Sequence, residues 1–244
     1  MTIQIDGTTT VRELVGHYPQ TRPVLEQHGI DYCCGGGQAL ADVARQRGLE
    51  LSALASELQQ ALACPPSPSA AVDRDWYAAS LAELVQHIVS VHHAYLKQAL
   101  PRLRTLLATV LSAHSARHGD MLGQVRTLYD ALHAELSSHM LKEEQVLFPY
   151  VVAMEECARD GAPMPPAMFG TVRNPVRQME HEHEEAGSVL SRLRAVTGNY
   201  QLPEDACATF AALYQELQQM EADLHQHIHL ENNILFPRVI ELER

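Results

Sequence analysis

A segment in the middle of the chain recurs near its end. Residues 134–149, AELSSHMLKEEQVLFP, align with residues 222–237, ADLHQHIHLENNILFP, at an offset of 88. A second match, at an offset of 90, sets His93 on His183 and QALPRLRTL on SVLSRLRAV. The larger part of the chain therefore reads as two related hairpins. Each carries one histidine on its first arm and a His-x3-Glu on its second.

The arms are helical. Apolar residues recur at three and four, as in Leu81, Leu84, Val85 and Ile88. The expected helices span about residues 76–113, 119–157, 172–197 and 203–241, separated at Gly119, at 161–166 and at 198–203. No long stretch alternates with period two, so the expected fold is all-α, an antiparallel four-helix bundle. In the sequence CPPSPS three prolines fall within four positions, which no helix accommodates. This divides a small helical domain (1–63) from a linker (64–72) and the bundle (73–244). In the small domain Thr10 caps VRELVGHY, Gly29 stops TRPVLEQHG, and Gly48 closes a helix opened by the glycine-rich turn DYCCGGG.

Histidine and glutamate four apart lie on one helix face. Two such pairs plus two single histidines gather His93, His139, Glu143, His183, His227 and Glu231. Four imidazoles and two carboxylates are what a carboxylate-bridged metal pair in a bundle core requires. Imidazole suits iron, zinc or copper, and bridging carboxylates favour iron or manganese. The spacing alone is weak. Fourteen histidines and twenty glutamates in 244 residues give about one His-x3-Glu by chance, and the chain has three. The third, His181/Glu185, faces Val91 and Tyr95 in the repeat and reads as surface charge. The remaining histidines, His92 among them, read as solvated or internally satisfied. Glu135 and Asp223 precede the matched histidines by four, where a carboxylate can orient an imidazole or act as an acid. The Phe-Pro pairs 148–149 and 236–237 read as shaping helix ends.

Cys33 and Cys34 stand just before an expected helix, where a thiol gains reactivity; Cys64, Cys157 and Cys207 lack a motif and read as structural. Five cysteines, two of them adjacent, do not make a disulfide framework, and a reducing cytoplasm is expected. A net charge of −12 argues against nucleic acid and anionic lipid as partners. No run of 18 apolar residues is present, so no membrane span is expected, and the first residues lack the apolar core of a signal peptide. Lysine is nearly absent: Lys97 and Lys142 stand against sixteen arginines.

HAELSSHMLKEEQVLFP, MEHEHEEAG, HIHLENNILFPR and DYCCGGG together resemble the Ric family, for repair of iron centres. The resemblance covers nearly the whole chain. It implies a hemerythrin-like bundle holding two non-haem iron ions with an oxo or hydroxo bridge. The family's ligands fall on His93, His139, Glu143, His183, His227 and Glu231, the positions the duplication selects. It also implies repair of iron–sulfur clusters damaged by nitric oxide or peroxide, by supply of iron, with damaged iron–sulfur proteins as partners. The alternative is binding of nitric oxide or another diatomic ligand at the same site, or reduction of nitric oxide there, and reduction would make the protein an enzyme. Cys33 and Cys34 would then serve iron traffic or thiol chemistry. Oligomeric state stays open, a homodimer included.

Overall fold

The structure is a computed structural model and describes residues 5–33, 35–63 and 74–243. Cys34, the expected linker 64–72 with Cys64, and the first residue expected in the bundle, Asp73, lie outside the described residues. The chain divides into two compact units, Met1–Ser80 with Ile228–Arg238, and Leu81–His227 with Val239–Arg244.

In the first unit α1 (Val11–His17) starts at Thr10, whose hydroxyl accepts from the Glu13 backbone while the Glu13 carboxylate accepts from the Thr10 backbone. This reciprocal cap satisfies two backbone donors that a helix start leaves open. A 3-10 turn (Pro19–Thr21) leads into α2 (Arg22–Gln27), and α3 (Leu40–Arg47) and α4 (Leu51–Ala63) follow. Gly29 and Gly48, at φ 63° and 67°, reverse the chain after α2 and α3. Val11, Leu14, Leu25, Leu40, Leu54, Leu58 and Ile228 are buried in one core.

The second unit is built from long helices. Helical backbone runs unbroken through α5 (Leu81–His87), a π turn (Ile88–His93), α6 (Ala94–Lys142), a second π turn (Glu143–Leu147) and α7 (Phe148–Asp160). A break was expected at Gly119, but a glycine inside a helix costs only about 1 kcal/mol and does not force an exit. The chain still folds back. Lys97 Nζ reaches Glu144 at 2.7 Å and the Tyr129 hydroxyl reaches the Leu100 carbonyl at 2.5 Å. In a straight helix, at 1.5 Å per residue, Lys97 and Glu144 would stand roughly 70 Å apart. The run is thus an antiparallel hairpin. Glu155 accepts from the Leu81 and Ala82 amides at 2.6 and 2.9 Å and caps its start. The second hairpin is α8 (Arg173–Val196), then α9 (Ala208–Leu230), a third π turn (Glu231–Leu235) and α10 (Phe236–Leu242).

The Phe-Pro pairs lie inside these helical runs rather than at their ends. Pro149 and Pro237 cannot donate to the fourth residue back and would crowd its carbonyl. The π turns stand directly before them, at Glu143–Leu147 and Glu231–Leu235, and widen the helix there.

Buried residues recur at three and four along each helix: Leu96, Leu100, Leu103, Leu107 and Val110 on α6, and Val176, Met179, His183, Ala186, Leu190 and Leu193 on α8. His183 occupies a core position of that stripe, as His93 does ahead of Leu96 and His139 does after Leu136. One layer of the core is therefore polar. A leucine at each place would contribute about 2 kcal/mol of burial, so this layer is kept for something other than packing. Among the described residues there is no strand, and no helix is long and apolar enough to cross a membrane.

Candidate metal centre

The six side chains selected by the duplication meet in the interior. His93, Glu143 and Glu231 are fully buried, and His139, His183 and His227 nearly so. Five belong to the second unit, and Glu231 follows one turn after His227 on the same helical run. Their donor atoms form two overlapping groups. His93 and His227 gather with Glu143 and Glu231, and His139 and His183 gather with the same two glutamates; within each group the atoms lie within 4.8 Å of one another.

The Glu143 carboxylate is divided between the groups. Its Oε2 is 3.4 Å from His93 Nε2 and its Oε1 is 3.3 Å from His139 Nε2. Across each group two imidazole nitrogens face each other, His93 and His227 at 3.2 Å, His183 and His139 at 3.0 Å. Burying two carboxylates is costly unless positive charge is held among them. Nitrogen and shared-oxygen donors at this spacing suit a pair of cations, and the donor set fits iron.

Outer carboxylates fix two of the rings. His93 Nδ1 donates to Glu144 at 2.8 Å and His139 Nδ1 donates to Glu182 at 2.8 Å. With Nδ1 protonated, Nε2 presents its lone pair to the centre. Burial raises the Glu182 carboxyl, but hydrogen bonds from Lys142, Gln178 and His139 outweigh it and hold the group at about 2. Glu144 is likewise lowered, burial being outweighed by Lys97 and His93. Asp223 accepts from a histidine at 2.9 Å, but from His92 rather than a member of the six. His92 is buried and stacks on His227 with ring centroids 5.7 Å apart. Glu135 is exposed. It lines a cavity of about 180 Å³ that also touches Ser138, His139, Lys142, Glu182 and His183. The cavity lies against one side of the centre. His181 and Glu185, 3.5 Å apart, are both exposed.

Spacing alone did not point to Glu144, Glu182, His92 or His229. The repeat hid the first three: Glu144 faces Asn232, and Glu182 faces His92. His229 is buried, its Nδ1 lies 2.9 Å from Asn233 Nδ2, and burial pushes its imidazole down to about 3. Its repeat counterpart, Leu141, is half exposed.

Cys33 does not stand at a helix start, because α3 begins seven residues later at Leu40. It is buried, and its thiol donates to Asp31 Oδ1 at 3.1 Å. The turn around it is tight. A Cβ on Gly36 would lie 2.7 Å from the Tyr32 carbonyl oxygen, whereas one on Gly37 would meet only ordinary contact at 3.5 Å. The second glycine of the run is required and the third is not. Cys207, which lacked a motif, is exposed and lies 3.2 Å from His114 Nε2. The hydrogen bond from His114 leads the causes that bring its thiol down to about 7.

An all-α bundle with a buried His/Glu layer defines a hemerythrin-type cation-binding protein, and the hemerythrin HHE cation binding domain family matches residues 84–239. Residues 7–62 match the ScdA_N family, a domain of unknown function. The iron-sulfur cluster repair protein YtfE of Citrobacter koseri is 36% identical over 228 residues, covering 93% of this chain and 94% of its own. A probable iron-sulfur cluster repair protein of Haemophilus influenzae is 36% identical over 231 residues, covering 93% and 95%. The chain belongs to this family of hemerythrin-domain iron–sulfur cluster repair proteins.

Proposed function

We propose that the chain holds two non-haem irons and uses them to restore damaged iron–sulfur clusters. His93 and His227 would hold one iron, His139 and His183 the other, with Glu143 and Glu231 shared and an oxo or hydroxo bridge completing the pair. The observation that supports this most is the Glu143 carboxylate, which turns one oxygen to each histidine pair. Bound iron would supply both a transferable metal and open positions for a small ligand. The protein's part is to present four lone pairs and two carboxylates in a water-poor layer, with Glu144 and Glu182 keeping the Nδ1 protons of His93 and His139 in place. Two imidazoles per iron and shared carboxylates form a lighter hold than a full protein shell, which suits release to a client.

The clients would be damaged iron–sulfur proteins, as the names of the relatives indicate, and the damage would come from nitrosative or oxidative stress. A small domain (1–63), linker (64–72) and bundle (73–244) form part of this reading, since the two matched families end and resume at residues 62 and 84. A cytoplasmic location, a homodimer and a thiol role for Cys33 and Cys34 are carried with it.

The test is anaerobic loading with iron, then incubation with an iron–sulfur hydratase inactivated by nitric oxide. Recovery of hydratase activity above that given by an equal amount of free iron supports repair; equal recovery contradicts it. A second reading, removal of nitric oxide, is favoured by the cavity beside His139 and His183. Nitric oxide consumption without client recovery would select it.

A further inference from the structure

The scarcity of lysine gains a meaning in the structure. Lys97 Nζ donates to both oxygens of Glu144, at 2.7 and 2.8 Å, and Glu144 accepts from His93 Nδ1. Lys142 Nζ donates to Glu182 Oε1, and Glu182 Oε2 accepts from His139 Nδ1. Both lysines of the chain thus end on the two carboxylates that hold ring protons of the central histidines, while among the described residues no arginine is shown on either. The two chains of contacts run alike. A half-exposed ammonium meets a carboxylate at 24% or 17% exposure, which meets an imidazole at 0% or 3%. One relay ends in each of the two donor groups.

The relays are not part of the duplication. Lys97 faces Gly187 and Lys142 faces Leu230 in the repeat, while Glu144 faces Asn232 and Glu182 faces His92. The first hairpin alone supplies both lysines. A lysine kept for general helix solubility would have no reason to be absent everywhere else and to fall on these two carboxylates. Lysine differs from arginine in being a compact charge that can sit on one carboxylate without a planar fork to match.

We propose that Lys97 and Lys142 are positioning residues that, through Glu144 and Glu182, hold His93 and His139 with Nε2 toward the metal and place one positive charge near each iron. The inference rests on the two-iron reading. Two consequences follow. A carboxylate without its lysine is freer to swing, so the imidazole is less firmly aimed and metal leaves faster. A lost positive charge also disfavours the more reduced metal, so the reduction potential falls.

The test compares wild type, Lys97→Met/Lys142→Met and Lys97→Arg/Lys142→Arg, each full-length and iron-loaded. Three quantities are read: release of iron to a coloured chelator, the reduction potential of the bound metal by spectroscopic titration, and the melting midpoint of the iron-free protein. Partners of metal-bound histidines are worth roughly tenfold or more in affinity, so one step further out the methionine pair should release iron about threefold to tenfold faster. Its potential should shift downward, the arginine pair should keep the wild-type potential, and the iron-free melting midpoints should agree. Wild-type release and potential in the methionine pair would overturn the inference and leave the metal reading standing. Arginine variants shifted as far as the methionine pair would also overturn it. A wild type that takes up no iron would remove the metal reading and this inference together.

Discussion

His93 and His227, 134 residues apart in sequence, bring their Nε2 atoms within 3.2 Å of each other in the interior. Because His93 Nδ1 keeps its proton and donates it in a hydrogen bond to Glu144, the facing nitrogen carries a lone pair. Such an arrangement is stable when a proton or a metal ion stands among the nitrogens, and the nearby Glu143 and Glu231 favour a cation of higher charge.

The shared carboxylates carry the first prediction. Glu143→Ala and Glu231→Ala should each lower bound iron from two per chain to one or fewer, measured by elemental analysis after anaerobic loading. Circular dichroism checks that the helices persist. Two irons retained in both variants would reject the bridging role.

Iron should stabilise the fold. A ligand held at one hundred times its dissociation constant adds about 2.7 kcal/mol, which for a chain of this size raises the melting midpoint by roughly 5–10 °C. Calorimetry of iron-free and iron-loaded protein reads the difference. Identical midpoints would mean that the site is not buried in the folded state alone.

Away from the centre, the α8–α9 connection depends on Glu221. Its buried carboxylate accepts from Arg194 Nε at 2.5 Å and from the Tyr200 hydroxyl at 2.9 Å. Tyr200 also adopts a left-handed φ of 59°, which costs a side-chain-bearing residue energy that these contacts offset. Glu221→Ala should cost about 2–3 kcal/mol in urea unfolding, and Tyr200→Phe about 1 kcal/mol, with iron content unchanged. A loss of iron in step with stability would show that this end of the bundle supports the centre.

Cys207 should react with iodoacetamide near neutral pH. Its thiol is lowered to about 7 from the usual 9.0, chiefly by the hydrogen bond from His114, so the thiolate forms as pH rises through about 7. His114→Ala should move the midpoint of the rate-against-pH curve upward. An unchanged midpoint would assign the shift to the α9 backbone amides instead.

Much of the buried His/Glu cluster was legible because the duplication repeats its positions in both hairpins. His93, His139, Glu143, His183, His227 and Glu231 are repeated in register, and they are the residues that meet. Glu144 and Glu182 were hidden because each copy solves the orientation of its rings differently, with Asn232 and His92 in the matching places. Glu135 shares a helix face with His139, but the approach of α8 puts Glu182 on that ring. Periodicity found the helices and the glycine placed the reversal near Gly119, yet neither showed that helical backbone continues through that turn. Periodicity also missed the π turns, although Pro149 and Pro237 mark where two of them end.

The central claim is that two irons lie between the paired histidines and share Glu143 and Glu231. Anomalous diffraction at the iron edge, from crystals of the iron-loaded protein, tests it most directly. Two peaks are predicted, one between His93 and His227 and one between His139 and His183, with Glu143 reaching both. A single peak, or peaks away from these four rings, would contradict the account.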